Sequence, residues 1–116
     1  MKRGDIYWAN LAPRSGSEQS GRRPVIIISH DAFNQTPAWR SIIVVPVSTS
    51  TGQKRRGPTV VALPADMTGL PNDSVALCHQ ITTLDRAKLK EKLGAVPEEL
   101  LTRLEQALLA AMDIRR

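Results

Sequence analysis

The chain has 116 residues, 41% of them hydrophobic, which is enough to bury one core and too few for two, so a single domain over residues 1–116 is expected. Its formal charge of +5 is uneven: residues 1–60 hold nine Lys/Arg against three acids, and residues 61–116 hold seven against eight. A basic half on a small domain points to a polyanion, nucleic acid before anionic membrane, while the single Cys78 excludes a disulfide framework and a thiolate zinc site.

The start, MKRGDIYWANL, is basic but lacks the continuous apolar run of a signal peptide, and no segment approaches the roughly 20 apolar residues that span a bilayer. A cytoplasmic protein is expected. Ile6 to Leu11 reads as a strand led in by Gly4 and Asp5, and Ala12 to Arg22 as a Gly- and Ser-rich loop. Val25 to Ser29 is an apolar run without alternation, which predicts a strand covered on both faces. His30 to Arg40 predicts a loop or a single helical turn. Ser41 to Ser48 is a second apolar strand, and Pro46 inside it predicts an edge position or a bulge near its end.

Thr49 to Pro58 is a polar, basic loop, and Thr59 to Leu63 and Ser74 to Gln80 are two more strands around the turn-forming stretch Pro64 to Asp73. Asp85 is placed to cap a short helix from Arg86 to Leu93, ended by Gly94. Pro97 then opens a second helix with Glu98 and Glu99 in its first turn, and Leu100, Leu101, Leu104, Ala107, Leu108, Ala111 and Met112 fall on one face. Strands followed by a terminal amphipathic helix, with no βαβ rhythm, predict a mainly β fold: a small antiparallel barrel or half-barrel packed by helices.

For chemistry, Asp5, Glu18 and Asp31 stand singly, with no carboxylate pair on one strand face to hold Mg²⁺, and His30 and His79 read as residues satisfied by hydrogen bonds rather than as metal ligands. Neither a metal nor a cofactor is expected. Gly16 and Gly21 flank SEQS without the Lys and Ser/Thr of a phosphate-cradling loop. Arg22 and Arg23 are more informative, because Pro24 biases Arg23 to an extended conformation at the mouth of an apolar strand. A guanidinium held there offers bidentate donors to a phosphate, or else solvates a strand end. The next strand ends in Ser48 and Thr49 and is followed by Lys54, Arg55 and Arg56, so hydroxyls and a basic loop share that mouth if the strands are neighbours.

KRGDIYWANLAP, GSEQSGRRPVIIIS, VVPVST and LPNDSVALCHQITTLDRAKL, in this order and spacing, resemble the MazF and PemK family of toxin endoribonucleases from bacterial toxin-antitoxin systems. The similarity runs over nearly the whole chain. It implies an SH3-like antiparallel β-barrel of the CcdB/PemK type with a C-terminal amphipathic helix, acting as a homodimer that cuts single-stranded RNA at short sequences without metal. It further implies that Arg23 and Ser48 are the catalytic pair. Serine stands here where threonine is commoner, with Thr49 beside it, so the acting hydroxyl stays open between the two. Glu18, Gln19, Arg22, Thr49, Lys54, Arg55 and Arg56 are the expected RNA contacts, with Glu18 also a candidate base. A cognate antitoxin with an acidic C-terminal segment is the expected partner.

Two other classes compete: a non-catalytic inhibitor of the same fold that binds a protein target such as DNA gyrase, and a plain RNA-binding module. Arginine, hydroxyl and basic loop favour the nuclease over the first. Against the second, the sequence has only four aromatics (Tyr7, Trp8, Phe33, Trp39) and shows no stacking platform.

Overall fold

The structure, a computed structural model, describes residues 1–11, 21–49 and 57–115. The strands are β1 (Asp5–Leu11), β2 (Gly21–Ile27), β3 (Ser41–Ser48), β4 (Val60–Leu63), β5 (Ser74–Leu77), β6 (Thr82–Asp85) and β7 (Leu89–Ala95); the helices are α1 (Asp31–Asn34), α2 (Ala65–Thr68) and α3 (Glu98–Ala111). All pairings are antiparallel, in the order β4-β5-β3-β2-β1-β7, with β6 also on β3. The expected mainly β fold with its C-terminal helix is present; among the described residues the sheet is not closed, with β4 and β7 at the two ends of its strand order.

Two cores explain the unalternating apolar runs. Ile26, Val45 and Val47 face one core with Ile6, Leu63 and the α3 residues Leu100, Leu104 and Leu108. Their neighbours Val25, Ile27, Ile42 and Val44 face the other, with Ala9, Leu11 and Leu84. The stretches Val25–Ile27 of β2 and Val44–Val47 of β3 are therefore dry on both faces, which is what an apolar run without alternation requires. In α3 the apolar stripe outruns its core, and Met112 ends 49% exposed.

Pro46 is neither at an edge nor in a bulge. β3 pairs with β6 up to Val44 and with β5 from Val47, so the missing amide of Pro46 falls where one partner strand hands over to the next. The helix predicted over Arg86 to Leu93 is also corrected. Asp85 does cap, its side chain accepting from the Ala87 amide at 2.8 Å, but only a single 3-10 turn follows (Arg86–Lys88) before β7 begins on β1. Arg40, donating to Asp85 at 2.7 Å, is the main reason its carboxyl sits below the usual carboxylate range.

Arg86 has a structural task that a helix prediction conceals. Its guanidinium donates to the carbonyls of Trp39 (2.9 Å), Asn34 (3.0 Å), Phe33 (3.0 Å) and Thr36 (2.9 Å), fixing the connection between β2 and β3. A planar fork can serve four diverging acceptors; an ammonium cannot. Arg86→Lys is expected to cost about 2 kcal/mol, read as a lower urea midpoint at unchanged slope. An unchanged midpoint would show that water replaces the fork at no loss.

Candidate active site

The candidate site forms where β2 and β3 part. The ladder between them pairs Ile27 with Val44, Ile26 with Val45 and Val25 with Pro46, and it stops there. Ile28 donates to the Ile43 carbonyl across this ladder, so strand alternation turns the backbone of residue 24 toward β3 as well. Residue 24 is proline and has no amide proton to give. The β2–β3 strand pairing ends here. Beyond this last pair, Arg22 and Arg23 of β2 and Thr49, the residue after β3, line the same opening, with Ser48 next to Thr49.

The sequence reading placed Arg22 in a loop, but β2 begins at Gly21 and pairs Arg22 with Asn10 and Pro24 with Trp8 of β1. Both arginines are exposed strand residues. Pro24 is tolerated inside the strand because its β3 side lies beyond the last ladder pair. Arg22 lies diagonally across from Trp8, its guanidinium carbon 4.7 Å from the ring centroid, and Glu91 of β7 approaches it at 3.4 Å between two exposed side chains. Such contacts orient Arg22 without binding it strongly.

A cleft of about 160 Å³ occupies the opening, lined by Trp8, Arg22, Arg23, Pro24, Val47 and Thr49 together with Leu70, Pro71, Asn72 and Ser74. Thr49 is exposed within it, whereas Ser48 is buried at 4% exposure beside Val75 of β5. The structure thus brings Arg22, Arg23, Ser48 and Thr49 to one strand mouth. Glu18, Gln19, Lys54, Arg55 and Arg56 lie outside the described residues.

The contribution of Leu70, Pro71, Asn72 and Ser74 was not foreseen. Gly69 ends α2 in the left-handed region (φ +84°), and Asp73 accepts from the Ala65 amide at 2.8 Å while the Ser74 hydroxyl donates to the Asn72 carbonyl at 2.8 Å. These bonds fix the turn that carries Leu70 to Asn72, which line the cleft together with Trp8. A stacking surface, absent from the sequence reading, is therefore present: Trp8 stands in the cleft. Phe33 and Trp39 form a second stack elsewhere, with centroids 4.5 Å apart. Both histidines are held by hydrogen bonds, His30 through its Nδ1 from the Ala32 amide at 2.9 Å and His79 with Thr59 at 3.0 Å. Cys78 is buried beneath α3, and burial pushes its thiol up to about 12.

Fold and cleft together define a small β-sheet protein that presents two arginines and a threonine hydroxyl at one strand mouth, a class suited to gripping a phosphate-bearing chain. Comparison with known proteins narrows the class. Residues 2–112 match the family of PemK-like, MazF-like toxins of type II toxin-antitoxin systems. The endoribonuclease EndoA of Bacillus subtilis strain 168 is 38% identical over 108 residues, spanning 93% of this chain and 90% of that protein. MazF from Deinococcus radiodurans superposes with a TM-score of 0.79 at 27% identity, covering 97% of this chain and 96% of its own. A mycobacterial endoribonuclease solved in complex with its cognate antitoxin gives 0.79 at 25% identity, covering 100% and 98%. The chain belongs to the PemK-like, MazF-like toxin family. Among the described residues, no helix is long and apolar enough to cross a membrane.

Proposed function

We propose that this toxin endoribonuclease cuts single-stranded RNA at short, specific sequences without a metal ion, works in the cytoplasm as a homodimer, and is silenced by an antitoxin whose acidic C-terminal segment occupies the same basic groove. The observation that supports the chemistry is the cleft where the β2–β3 ladder ends: Arg23 and Thr49 both line it, and Ser48 is the residue before Thr49 on β3. RNA supplies its own nucleophile. The 2′-oxygen forms a bond to the adjacent phosphorus as the bond to the 5′-oxygen breaks, the 2′-hydroxyl proton passes to a base, and the leaving oxygen takes up a proton. The products are a 2′,3′-cyclic phosphate and a 5′-hydroxyl.

In this reading Arg23 stabilises the charge that builds on the phosphorane oxygens, since preorganised donors act where charge develops. It is not assigned the role of base, because a guanidinium is donor-only and offers no lone pair to accept the proton. Ser48 provides a hydroxyl at the end of β3, and Thr49 a hydroxyl in the open cleft, with Arg22 gripping a neighbouring phosphate. Glu18 is the candidate base. An acidic, disordered segment that folds onto the arginines would mimic the polyanion, which is why antitoxin and RNA compete in this account.

The test is incubation of the purified chain with a long single-stranded RNA in EDTA, where discrete fragments are expected; an intact RNA would sink the reading and favour a protein-directed inhibitor. On a mapped site, Ser48→Ala is expected to lower kcat on the order of a hundredfold, whereas Thr49→Ala shows its loss in KM. The reverse pattern moves the acting hydroxyl to Thr49.

A further inference from the structure

The cleavage reading uses the arginines and hydroxyls of the cleft and leaves its remaining walls without a task. Trp8 lies there half-buried, with Pro24 opposite it in the β1–β2 ladder. Leu70, Pro71 and Asn72 line the same cleft, on a turn held by Asp73 and Ser74. At about 160 Å³ the cleft falls below the roughly 300–1,000 Å³ of pockets that enclose a drug-sized ligand, and suits one planar group. The present occupant of the ring face is a planar group too, the Arg22 guanidinium at 4.7 Å.

We propose that this cleft is a nucleobase subsite, in which one unpaired base of the RNA stacks on Trp8 in place of Arg22 and presents its hydrogen-bonding edge to the Asn72 amide. The inference rests on the endoribonuclease reading and adds to it the residues that choose the base. Every base has a stacking face, and aromatic platforms are how single strands are held once unpaired. Arg22 is a weak competitor for that face, because it is exposed and its Glu91 contact is 3.4 Å long. Once displaced, it remains on β2 beside Arg23, where the phosphates flanking the stacked base would lie. Among the described residues, the Asn72 side chain and the Thr49 hydroxyl show no hydrogen bond to protein, so both are open to a base edge. An acidic peptide would match the two arginines but makes no use of the Trp8 ring face, which already takes a planar group, so the aromatic lining argues for RNA.

The test uses the Trp39→Phe protein, in which Trp8 is the remaining indole, and a single-stranded RNA carrying the mapped cut sequence with a 2′-deoxy sugar at the cleaved position. Trp8 emission is expected to quench on saturation, and one abasic substitution along the RNA to remove the quench and weaken binding about tenfold to a hundredfold. In cleavage, Trp8→Ala is expected to raise KM by a similar factor with kcat nearly unchanged, Trp8→Phe to restore it, and Asn72→Ala to broaden the base accepted at one position. Trp8→Leu keeps the apolar bulk and carries the same comparison if the alanine variant fails to fold. A folded variant without the aromatic face that keeps the parent KM and cut sequence would overturn the subsite, as would a quench that no abasic position alters. A parent protein that cuts no RNA would instead overturn the endoribonuclease reading, so the two failures are distinguishable.

Discussion

Arg23→Lys is expected to keep most RNA binding and to lose most cleavage, by a factor on the order of a hundred to a thousand, equivalent to about 3–4 kcal/mol of barrier. Lysine preserves the charge that attracts the strand but replaces a rigid, planar donor fork with a flexible point charge. In the proposed mechanism only the fork is matched to the developing phosphorane, so the loss is expected in kcat rather than in KM. The rigidity comes from the sheet: Arg23 pairs with Ala9 of β1 on one side, while on the other Pro24 ends the β3 ladder and leaves the strand mouth open. Arg22→Lys is expected to be milder, because Arg22 lies on Trp8 and contributes through affinity. Thermal melts of both variants separate catalysis from folding. A folded Arg23→Lys that cuts at the parent rate would make Arg23 a strand-end residue and nothing more.

Gly94→Ala is the second substitution with a large expected effect, and it acts through backbone rather than through chemistry. A Cβ at Gly94 would stand well inside contact with the Thr68 carbonyl oxygen, 3.0 Å from the Thr68 carbonyl carbon and 3.2 Å from the Gly69 Cα. All three are main-chain atoms, so no side chain can turn away to relieve the overlap. Overpacking of this kind costs about 1–3 kcal/mol, and a backbone clash belongs at the upper end. α2 must retreat from β7, and with it Leu70 to Asn72, which line the cleft. The variant is therefore expected to melt lower and, where still folded, to bind RNA more weakly. A melt equal to the parent's would mean that β7 shifts along β1 instead.

Much of this was legible in the sequence, and the exceptions have physical causes. β1, β2, β3 and α3 are announced by patterns that local sequence controls: apolar runs, a β-branched composition and a helical stripe begun by Pro97 and two glutamates. β7 was hidden because Lys90, Glu91, Lys92 and Leu93 are good helix formers, and a strand exposed on most of its surface has no apolar alternation to reveal it. What makes it a strand is pairing with β1, a tertiary effect that overrides propensity. Pro46 misled for a related reason, since proline signals a missing hydrogen bond but not that two partner strands meet there. Arg23, Ser48 and Thr49 could be nominated because each sits at the end of a readable strand. The Trp8 cleft could not, because Leu70 to Asn72 lie some sixty residues away and join Trp8 only through the order of strands in the sheet.

The central claim is that a phosphodiester is cut by its own 2′-hydroxyl at the Arg23–Ser48 mouth, and one substrate pair tests it most directly. Two single-stranded RNAs carrying the same mapped cut sequence, one all-ribose and one with a single 2′-deoxy sugar at the cleaved position, are incubated with the chain in EDTA and the ends of the fragments analysed. The account predicts that the all-ribose strand yields a 2′,3′-cyclic phosphate and a 5′-hydroxyl, and that the 2′-deoxy strand is bound but not cut. Cutting of the 2′-deoxy strand at a comparable rate, or cutting of the all-ribose strand only after Mg²⁺ is restored, would contradict it.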